Sequence, residues 1–312
     1  MSGAGRILRG LALLAGLLAL PQAAAALTCN ATVSNINFGA ISVRAGAVNQ
    51  TSGSITVRCR GSLLSLVGAC VYFGSGSGGA GASNSPRYMR RGDGAALPFE
   101  LRPLGNGNTF GTLNAVYVPV ATVLGAGSAT VPIFADVAST SVSVGSGTYA
   151  STFDGSTDIS LEYGELTTCT LLQQGEPVPP FTVSAEVVPS CELDVSAMSF
   201  GSISASLTRP VDETATVNVR CTSDTSYTVS MGMGETGVSP TDRRMRSLLG
   251  TLSYGLYRDP ARSQPWGNLP GQTVAGTGSG GNNAFTVYGR IHAGQSPKAG
   301  IYTDSVIVTI TY

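Results

Sequence analysis

The stretch CNATVSNINFGAISVRAGAVNQTSGSITVRC, Cys29 to Cys59, returns later in the chain as CELDVSAMSFGSISASLTRPVDETATVNVRC, Cys191 to Cys221. In both stretches the second cysteine lies 30 residues after the first, and at a constant offset of 162 residues they share a Phe-Gly pair and a Val-Arg pair. A match of this depth without a gap indicates two copies of one unit. Because each copy is the size of a domain, we predict a tandem of two domains and not a solenoid.

The ends of the two copies also correspond. GTYASTF with Tyr149 matches GIYTDSV with Tyr302, and DISLEY, which ends at Tyr163, matches VTITY, which ends at Tyr312. Throughout the chain, short runs of alternating apolar residues are separated by clusters of Gly, Ser and Asn. This pattern predicts many short strands joined by turns. We therefore expect an all-β protein in which each copy is a β-sandwich with Greek-key connections.

The first 26 residues have the pattern of a secretory signal peptide. Arg6 and Arg9 precede the apolar run LALLAGLLAL, and small residues follow it, so we expect cleavage between Ala26 and Leu27. The apolar run is too short to span a bilayer. Without this leader the chain carries 16 basic and 18 acidic side chains, so there is no basic excess to indicate a nucleic-acid partner.

Six cysteines in an exported chain indicate disulfides. The repeat predicts one bridge in each copy and leaves a third pair within the first copy, so the expected bridges are Cys29–Cys59, Cys191–Cys221 and Cys70–Cys169. The disulfides use the side chains that zinc would need. The single histidine, His292, has no nucleophile motif near it. We therefore expect no metal, no cofactor and no enzymatic activity.

In these features the chain resembles the spore coat protein U domain family, the pilin-like domains of the archaic chaperone-usher pathway. The resemblance rests on the first-strand cysteine, the Phe-Gly pair nine residues later, the Val-Arg-Cys strand, LSYGLYRD at Leu252–Asp259 with Trp266–Asn268, and the closing GIYTDSVIVTITY. The second copy matches almost throughout. The first matches at its ends but has FELRPLG at Phe99–Gly105, where the second has YGLYRDP.

The resemblance implies immunoglobulin-like, pilin-type sandwiches, of which the C-terminal one lacks its last strand. In this family a periplasmic pilus chaperone lends the missing strand, the adjacent pilus subunit later replaces it, and an outer-membrane usher is a further partner. The expected strand-acceptor residues are those of the closing strand, Val306, Val308, Ile310 and Tyr312. After cleavage only Leu27 and Thr28 would precede Cys29, so we expect the chain to accept a strand but not to donate one to a neighbour.

Between the copies lies QQGEPVPP, Gln173–Pro180, whose proline and polar content indicates a linker. The following FTVSAEVV resembles a donor strand, and we expect it to complete the first copy in cis through its alternating residues, Phe181, Val183, Ala185 and Val187. The alternative is that it forms an early strand of the second copy. The predicted division is an N-terminal adhesin domain over 27–170, a linker with a candidate donor strand over 171–188, and a C-terminal pilin domain over 189–312.

The first copy is expected to carry the binding function. Compared with the second copy it has an insertion after Cys59 that contains LLSLV, and exposed apolar patches mark interaction sites. The surface-binding candidates are Leu63, Leu64, Leu66 and Val67, together with Phe110 and Leu113 in a second loop. One alternative is that the leucines pack beneath the sandwich, and another is a glycan pocket lined by aromatic residues.

The resemblance therefore implies a two-domain tip adhesin subunit of an archaic chaperone-usher pilus. Such a subunit is exported through the periplasm and sits at the pilus tip on the cell surface, where it binds an abiotic surface or a host receptor and supports biofilm formation. Two other classes stay open at this point. One is a structural, spore-coat-like or minor fibre subunit without an adhesive role, and the other is a free soluble lectin.

Overall fold

The computed structural model describes residues 26–44, 46–61, 63–103, 115–137, 144–169 and 174–312. Over these residues it contains twenty strands and one short 3-10 turn, Ala82–Asn84, so the predicted all-β fold is confirmed. The expected signal peptide falls outside the described residues, apart from Ala26. No helix in the described ranges has the length and apolar character needed to cross a membrane.

Twelve of the described strands form the N-terminal domain. Their bounds are β1 (Thr28–Val33), β2 (Ile36–Ile41), β3 (Asn49–Arg60), β4 (Leu64–Phe73), β5 (Arg87–Arg90), β6 (Ala96–Arg102), β7 (Ala115–Val123), β8 (Ala126–Val137), β9 (Gly147–Phe153), β10 (Ile159–Glu165), β11 (Gln174–Pro177) and β12 (Phe181–Val187). Strand β3 pairs with β1 on one edge and along its whole length with β8 on the other. Strands β7, β4, β10 and β11 are neighbours in that order.

The alternating pattern of these strands builds a single apolar core. In β3, for example, Ile55, Val57 and Cys59 are buried while the residues between them are more exposed. Successive side chains of a strand point to opposite faces, so one face of each strand is turned inward. Apart from Cys70, the buried apolar residues in the described part of the N-terminal domain belong to one contiguous cluster.

Eight strands form the C-terminal domain. Their bounds are β13 (Cys191–Val195), β14 (Val211–Cys221), β15 (Ser226–Met231), β16 (Arg243–Ser247), β17 (Gly250–Tyr257), β18 (Val274–Thr277), β19 (Asn282–Ile291) and β20 (Val308–Thr311). One sheet has the order β13-β14-β19-β17-β16 and the other has the order β18-β15-β20. The core includes the fully buried Trp266, whose indole N–H donates a hydrogen bond to the carbonyl oxygen of Val229 at 3.1 Å.

The disulfides have the predicted pairing. Cys29–Cys59 and Cys191–Cys221 each join two residues that lie directly opposite in an antiparallel ladder, with a Cα–Cα distance of 4.1 Å in both. Cys70–Cys169 connects β4 to the segment after β10. Closing loops of these lengths stabilises a domain by about 2 to 4 kcal/mol each.

Finer details also recur between the two domains. The hydroxyl of Tyr149 donates to the carbonyl oxygen four residues earlier at 2.9 Å, and the hydroxyl of Tyr302 does the same at 3.0 Å. Gly39 and Gly201 both have φ +67°, a left-handed conformation that favours glycine. The repeat in the sequence is therefore a repeat in structure, and positions in one domain can be compared with those in the other.

Each domain buries one arginine at corresponding places, Arg87 and Arg243. Burial lowers the pKa of Arg87 to about 10 and also lowers the pKa of Arg243. Backbone carbonyls accept the hydrogen bonds of both guanidinium groups. For Arg243 the accepting carbonyls are those of Gly232, Pro240 and Trp266. Buried polar groups of this kind stabilise a fold when all of them are paired.

Replacing Arg243 by methionine is expected to destabilise the C-terminal domain by about 3 kcal/mol, because three buried carbonyl groups lose their donor. Thermal unfolding of the full chain would measure this loss. The matched control is Arg244→Met, since the side chain of Arg244 is half-exposed and pairs with Asp242 near the surface, where an ion pair contributes at most about 1 kcal/mol. Equal melting of the two variants would contradict the structural role of Arg243.

Candidate functional site: an open groove and an apolar tip

Strand β12 occupies a groove of the N-terminal domain between β2 and β9. It runs antiparallel to β9, with Phe181 opposite Phe153 and Val187 opposite Gly147, and it runs parallel to β2. Both ladder partners of β12 therefore belong to the first copy. This pairing does not agree with the alternative of an early strand in the second copy.

The apolar face of β12 completes the core of the N-terminal domain. The ring of Phe181 stacks on that of Phe153, with centroids 4.7 Å apart, and meets the ring of Phe73 edge-on at 5.9 Å. Fully burying an apolar side chain contributes about 1.5 to 3 kcal/mol, so such a strand can decide whether a domain folds. The four side chains that are almost fully buried are Phe181, Val183, Ala185 and Val187.

The segment predicted as a linker with a candidate donor strand, 171–188, contains two strands in its described residues. Gln174–Pro177 forms β11, which pairs antiparallel with β10, and the next strand is β12. Proline is tolerated here because β11 is at the edge of the sheet. Strand pairing thus extends the N-terminal domain to Val187, and three residues, 188–190, separate it from Cys191.

The corresponding groove of the C-terminal domain is open. By the repeat, residues 198–203 take the place of β2 and residues 300–306 take the place of β9, and no strand of the described chain lies between them. Two adjoining cavities, of about 320 Å³ and about 650 Å³, follow this groove. Side chains that line both cavities include Met198, Phe200, Met245 and Tyr302.

The predicted strand-acceptor residues differ in their position relative to this groove. Val306 and Val308 line the smaller cavity, and Ile310 packs against the core. Tyr312 is exposed and lines neither cavity. Strand β20 pairs with β15 on one side, and within the described ranges no strand pairs with its other edge. An unpaired edge beside an apolar groove is the combination that β-strand addition uses.

Asp304 also lies in the groove, but its carboxylate already has partners. It accepts hydrogen bonds from the hydroxyl of Tyr254 at 2.7 Å and from the backbone N–H of Glu235 at 2.8 Å. Burial, with the hydrogen bond to this carboxylate as the second cause, raises the pKa of Tyr254, so the phenol stays protonated and keeps donating. The groove therefore presents apolar side chains such as Met198, Phe200 and Val306 to an incoming strand, while the carboxylate of Asp304 is already engaged.

A second candidate site lies where β3 leads into β4. Leu63, Leu64 and Leu66 are exposed, Leu64 by 81%, as expected for a surface-binding loop and not for packing beneath the sandwich. The prediction for Val67 is wrong, because this side chain is fully buried. Strand β4 already begins at Leu64, so the period of two turns Val67 toward the core.

Two further segments bring apolar side chains to the same place. Val123 and Leu124 are exposed at the β7–β8 turn, and Leu166 is exposed just after β10. Val123 lies opposite Leu64 in the β4–β7 ladder, and the backbone N–H of Leu166 donates to the carbonyl oxygen of Leu66 at 2.9 Å. Together these side chains form what we call the apolar tip, defined as Leu63, Leu64, Leu66, Val123, Leu124 and Leu166.

Two members of the apolar tip have unusual backbone conformations. Leu124 has φ +55° and Leu166 has φ +51°, a region that a leucine rarely adopts. Strained residues of this kind concentrate at functional sites. Sequence reasoning missed both leucines, and the one local signal was the turn residue Gly125. The second predicted loop, with Phe110 and Leu113, lies outside the described residues.

The chemistry of these two sites is that of binding. Within the described part of the chain, no group of three or more His, Cys, Asp and Glu side chains could hold a metal ion. Nε2 of His292 lies 3.0 Å from the carbonyl oxygen of Thr241 and so can donate to the backbone there. The sites offer apolar surface and an unpaired strand edge, which suit association with another surface or chain.

Comparisons with known proteins agree with the repeat. The family model described as Spore Coat Protein U domain matches residues 15–155 and 178–309. Protein U of Myxococcus xanthus is 36% identical over 107 residues, which is 32% of this chain. The match spans 59% of the length of that relative.

A solved structure shares the fold of both domains. It is a chain of the CsuC–CsuE chaperone–tip adhesion subunit pre-assembly complex from the archaic chaperone-usher Csu pili of Acinetobacter baumannii. The superposition has a TM-score of 0.54 at 14% sequence identity, and it covers 91% of this chain and 100% of that one. At this level of identity, the likeness is one of fold.

Proposed function

The chain belongs to the Spore Coat Protein U domain family, and we propose that it is an adhesive subunit of a chaperone-usher pilus. The observation that carries the proposal is the difference between the two grooves, of which the first is filled by β12 and the second is open. The fold shared with a chain of a chaperone–tip adhesion subunit complex supports it. On this view the chain is a binding and assembly protein, not an enzyme.

In this proposal the C-terminal domain is the assembly domain. A periplasmic pilus chaperone first supplies a strand to the open groove, and the adjacent pilus subunit replaces that strand when the chain leaves through an outer-membrane usher. Main-chain hydrogen bonds to residues 300–306, the counterpart of β9, provide affinity, and alternate apolar side chains in the groove provide fit. The chain then resides on the cell surface as part of a fibre.

The N-terminal domain is the adhesive domain at the tip of the fibre. Its own groove is filled in cis by β12, so it needs no strand from a neighbour and leaves the candidate donor strand of this chain engaged. It is thereby free to present the apolar tip to an abiotic surface or to an apolar patch of a host receptor. Each exposed leucine that becomes buried would contribute about 1.5 to 3 kcal/mol.

The double variant Leu64→Asp/Leu124→Asp is expected to lower adhesion of the purified full chain to polystyrene at least about tenfold, since each substitution removes apolar contact and adds a charge that must be desolvated. Its thermal unfolding is expected to stay close to wild type, because both side chains are exposed. The bound fraction after washing is the measurement.

Val48→Asp is the matched control for this test. Val48 is also an exposed apolar residue, but it precedes Asn49 at the end of β3 that lies away from the apolar tip. Undiminished adhesion of the double variant would contradict the role of the tip. A wild-type chain that does not adhere but still takes up a donor strand would favour the alternative of a structural, spore-coat-like or minor fibre subunit.

A further inference from the structure

The β16–β17 turn of the C-terminal domain carries two adjacent exposed leucines, Leu248 and Leu249. The turn stands at one end of the open groove, because Arg246 and Thr303 exchange backbone hydrogen bonds of 2.8 and 3.0 Å. The exposed Ile301 lies at the same end and lines the larger cavity. Exposed apolar side chains grouped at the mouth of a groove mark a contact surface.

The N-terminal domain, whose groove is filled, has a turn at the position that corresponds to the β16–β17 turn. Its β5–β6 turn, which begins at Arg91, takes the place of the β16–β17 turn. A Cβ placed on Gly147 would lie 3.1 Å from Cδ of Arg91, just as one placed on Gly300 would lie 3.7 Å from Cβ of Ser247. Both turns therefore flank the same end of their grooves.

Strand β12 leaves the first groove at this end, because its last residue, Val187, lies opposite Gly147. The spacer of three residues before Cys191 can span no more than roughly 14 Å. The folded body that follows the strand is thus held against the turn. Arg91 lies 3.4 Å from the carboxylate of Asp224 in the C-terminal domain, and a further β-bridge joins Gly145 to Ser223.

We propose that Leu248, Leu249 and Ile301 form a docking surface for the folded body of the pilus subunit whose strand fills the second groove. This inference rests on the proposed function. A donor strand that runs as β12 does would end beside Gly300, and a short spacer would place the following domain on the turn. The junction within this chain uses a charge pair, whereas the junction with the next subunit is apolar, so the facing surface of that subunit is apolar too.

Photo-crosslinking of the full chain in its native cells tests the inference. With p-benzoylphenylalanine in place of Leu248, we expect a crosslink to the folded body of a spore coat protein U subunit, in peptides after its first cysteine. The same group in place of Phe200 reports on groove filling, because Phe200 lines both cavities. The negative control carries p-benzoylphenylalanine in place of Leu269, an exposed leucine that lines neither cavity.

The outcomes separate this inference from the proposed function. A crosslink from position 200 with none from position 248, or with one only to the donor strand or to the chaperone, would overturn the docking surface and leave the assembly role intact. No subunit crosslink from either position would overturn both.

A pair of variants gives a second measurement. Leu248→Ser/Leu249→Ser is expected to lower the amount of adjacent subunit bound to the full chain about tenfold, with an unchanged melting temperature. Leu269→Ser is the matched control and should bind as wild type does. Equal binding by both variants would contradict the docking surface.

Discussion

Replacing Val183 by aspartate is expected to unfold the N-terminal domain while the C-terminal domain stays folded. Val183 is fully buried at the centre of β12, between β9 and β2. A carboxylate there would be removed from water without a partner, which costs several kcal/mol. Because small domains are stable by about 5 to 15 kcal/mol, a loss of this size is a large fraction of the total.

Calorimetry of the full chain would follow the two domains as separate transitions. Ser184→Asp is the matched control, since its side chain points to the opposite face of the strand, where Glu186 already carries a carboxylate. Deletion of residues 181–188 should abolish the first-domain transition in the same way. If that transition survives either change, β12 does not complete the N-terminal domain.

A donor strand appended to the chain should stabilise the C-terminal domain. The variant carries FTVSAEVV after Tyr312, joined by a flexible linker of about ten residues so that the strand can run back along the groove. Burial of its alternate apolar side chains stabilises the domain, and ordering of the tail offsets part of that gain. The free energy of unfolding of the C-terminal domain is expected to rise by about 2 to 4 kcal/mol. For a domain of this size the melting temperature would rise by about 10 °C or more.

The control for this experiment is the same tail with aspartate at its third and seventh positions, which face the groove. Its expected melting temperature is that of the unmodified chain. A rise of equal size with both tails would mean that the groove does not select apolar side chains. No rise with either tail would mean that the open groove beside residues 300–306 is not a strand-acceptor site, and the assembly role would lose its main support.

The repeat and the disulfides could be predicted from the sequence because both depend on short, regular spacings. The 30-residue interval between cysteines places them directly opposite in a ladder in both domains. Alternation of apolar residues fixes which face of a strand is buried. The same rule places Val67 in the core once β4 is known to begin at Leu64. The prediction for Val67 was wrong because the start of this strand was not predicted.

The apolar tip could be predicted only in part. Its first three leucines are close together in sequence, but Val123 and Leu166 reach them from about 60 and 100 residues away through the β4–β7 ladder and a backbone hydrogen bond. The composition of QQGEPVPP indicated a linker because it is rich in proline and polar residues. An edge strand such as β11 needs only backbone pairing, which leaves no such signal.

By itself, the sequence determined the tandem of two all-β domains, the three disulfides and the presence of a donor-like strand between the copies. It did not decide which groove that strand fills, because the alternation of Phe181–Val187 suits either one. In the first copy Phe181 lies against Phe73 and Phe153. In the second copy Met231 takes the place of Phe73 and Val306 takes the place of Phe153. Packing partners this far apart in sequence meet only in the folded chain, and the stability of a strand depends on such neighbours. The tertiary structure therefore decided that the first groove is filled and the second is open.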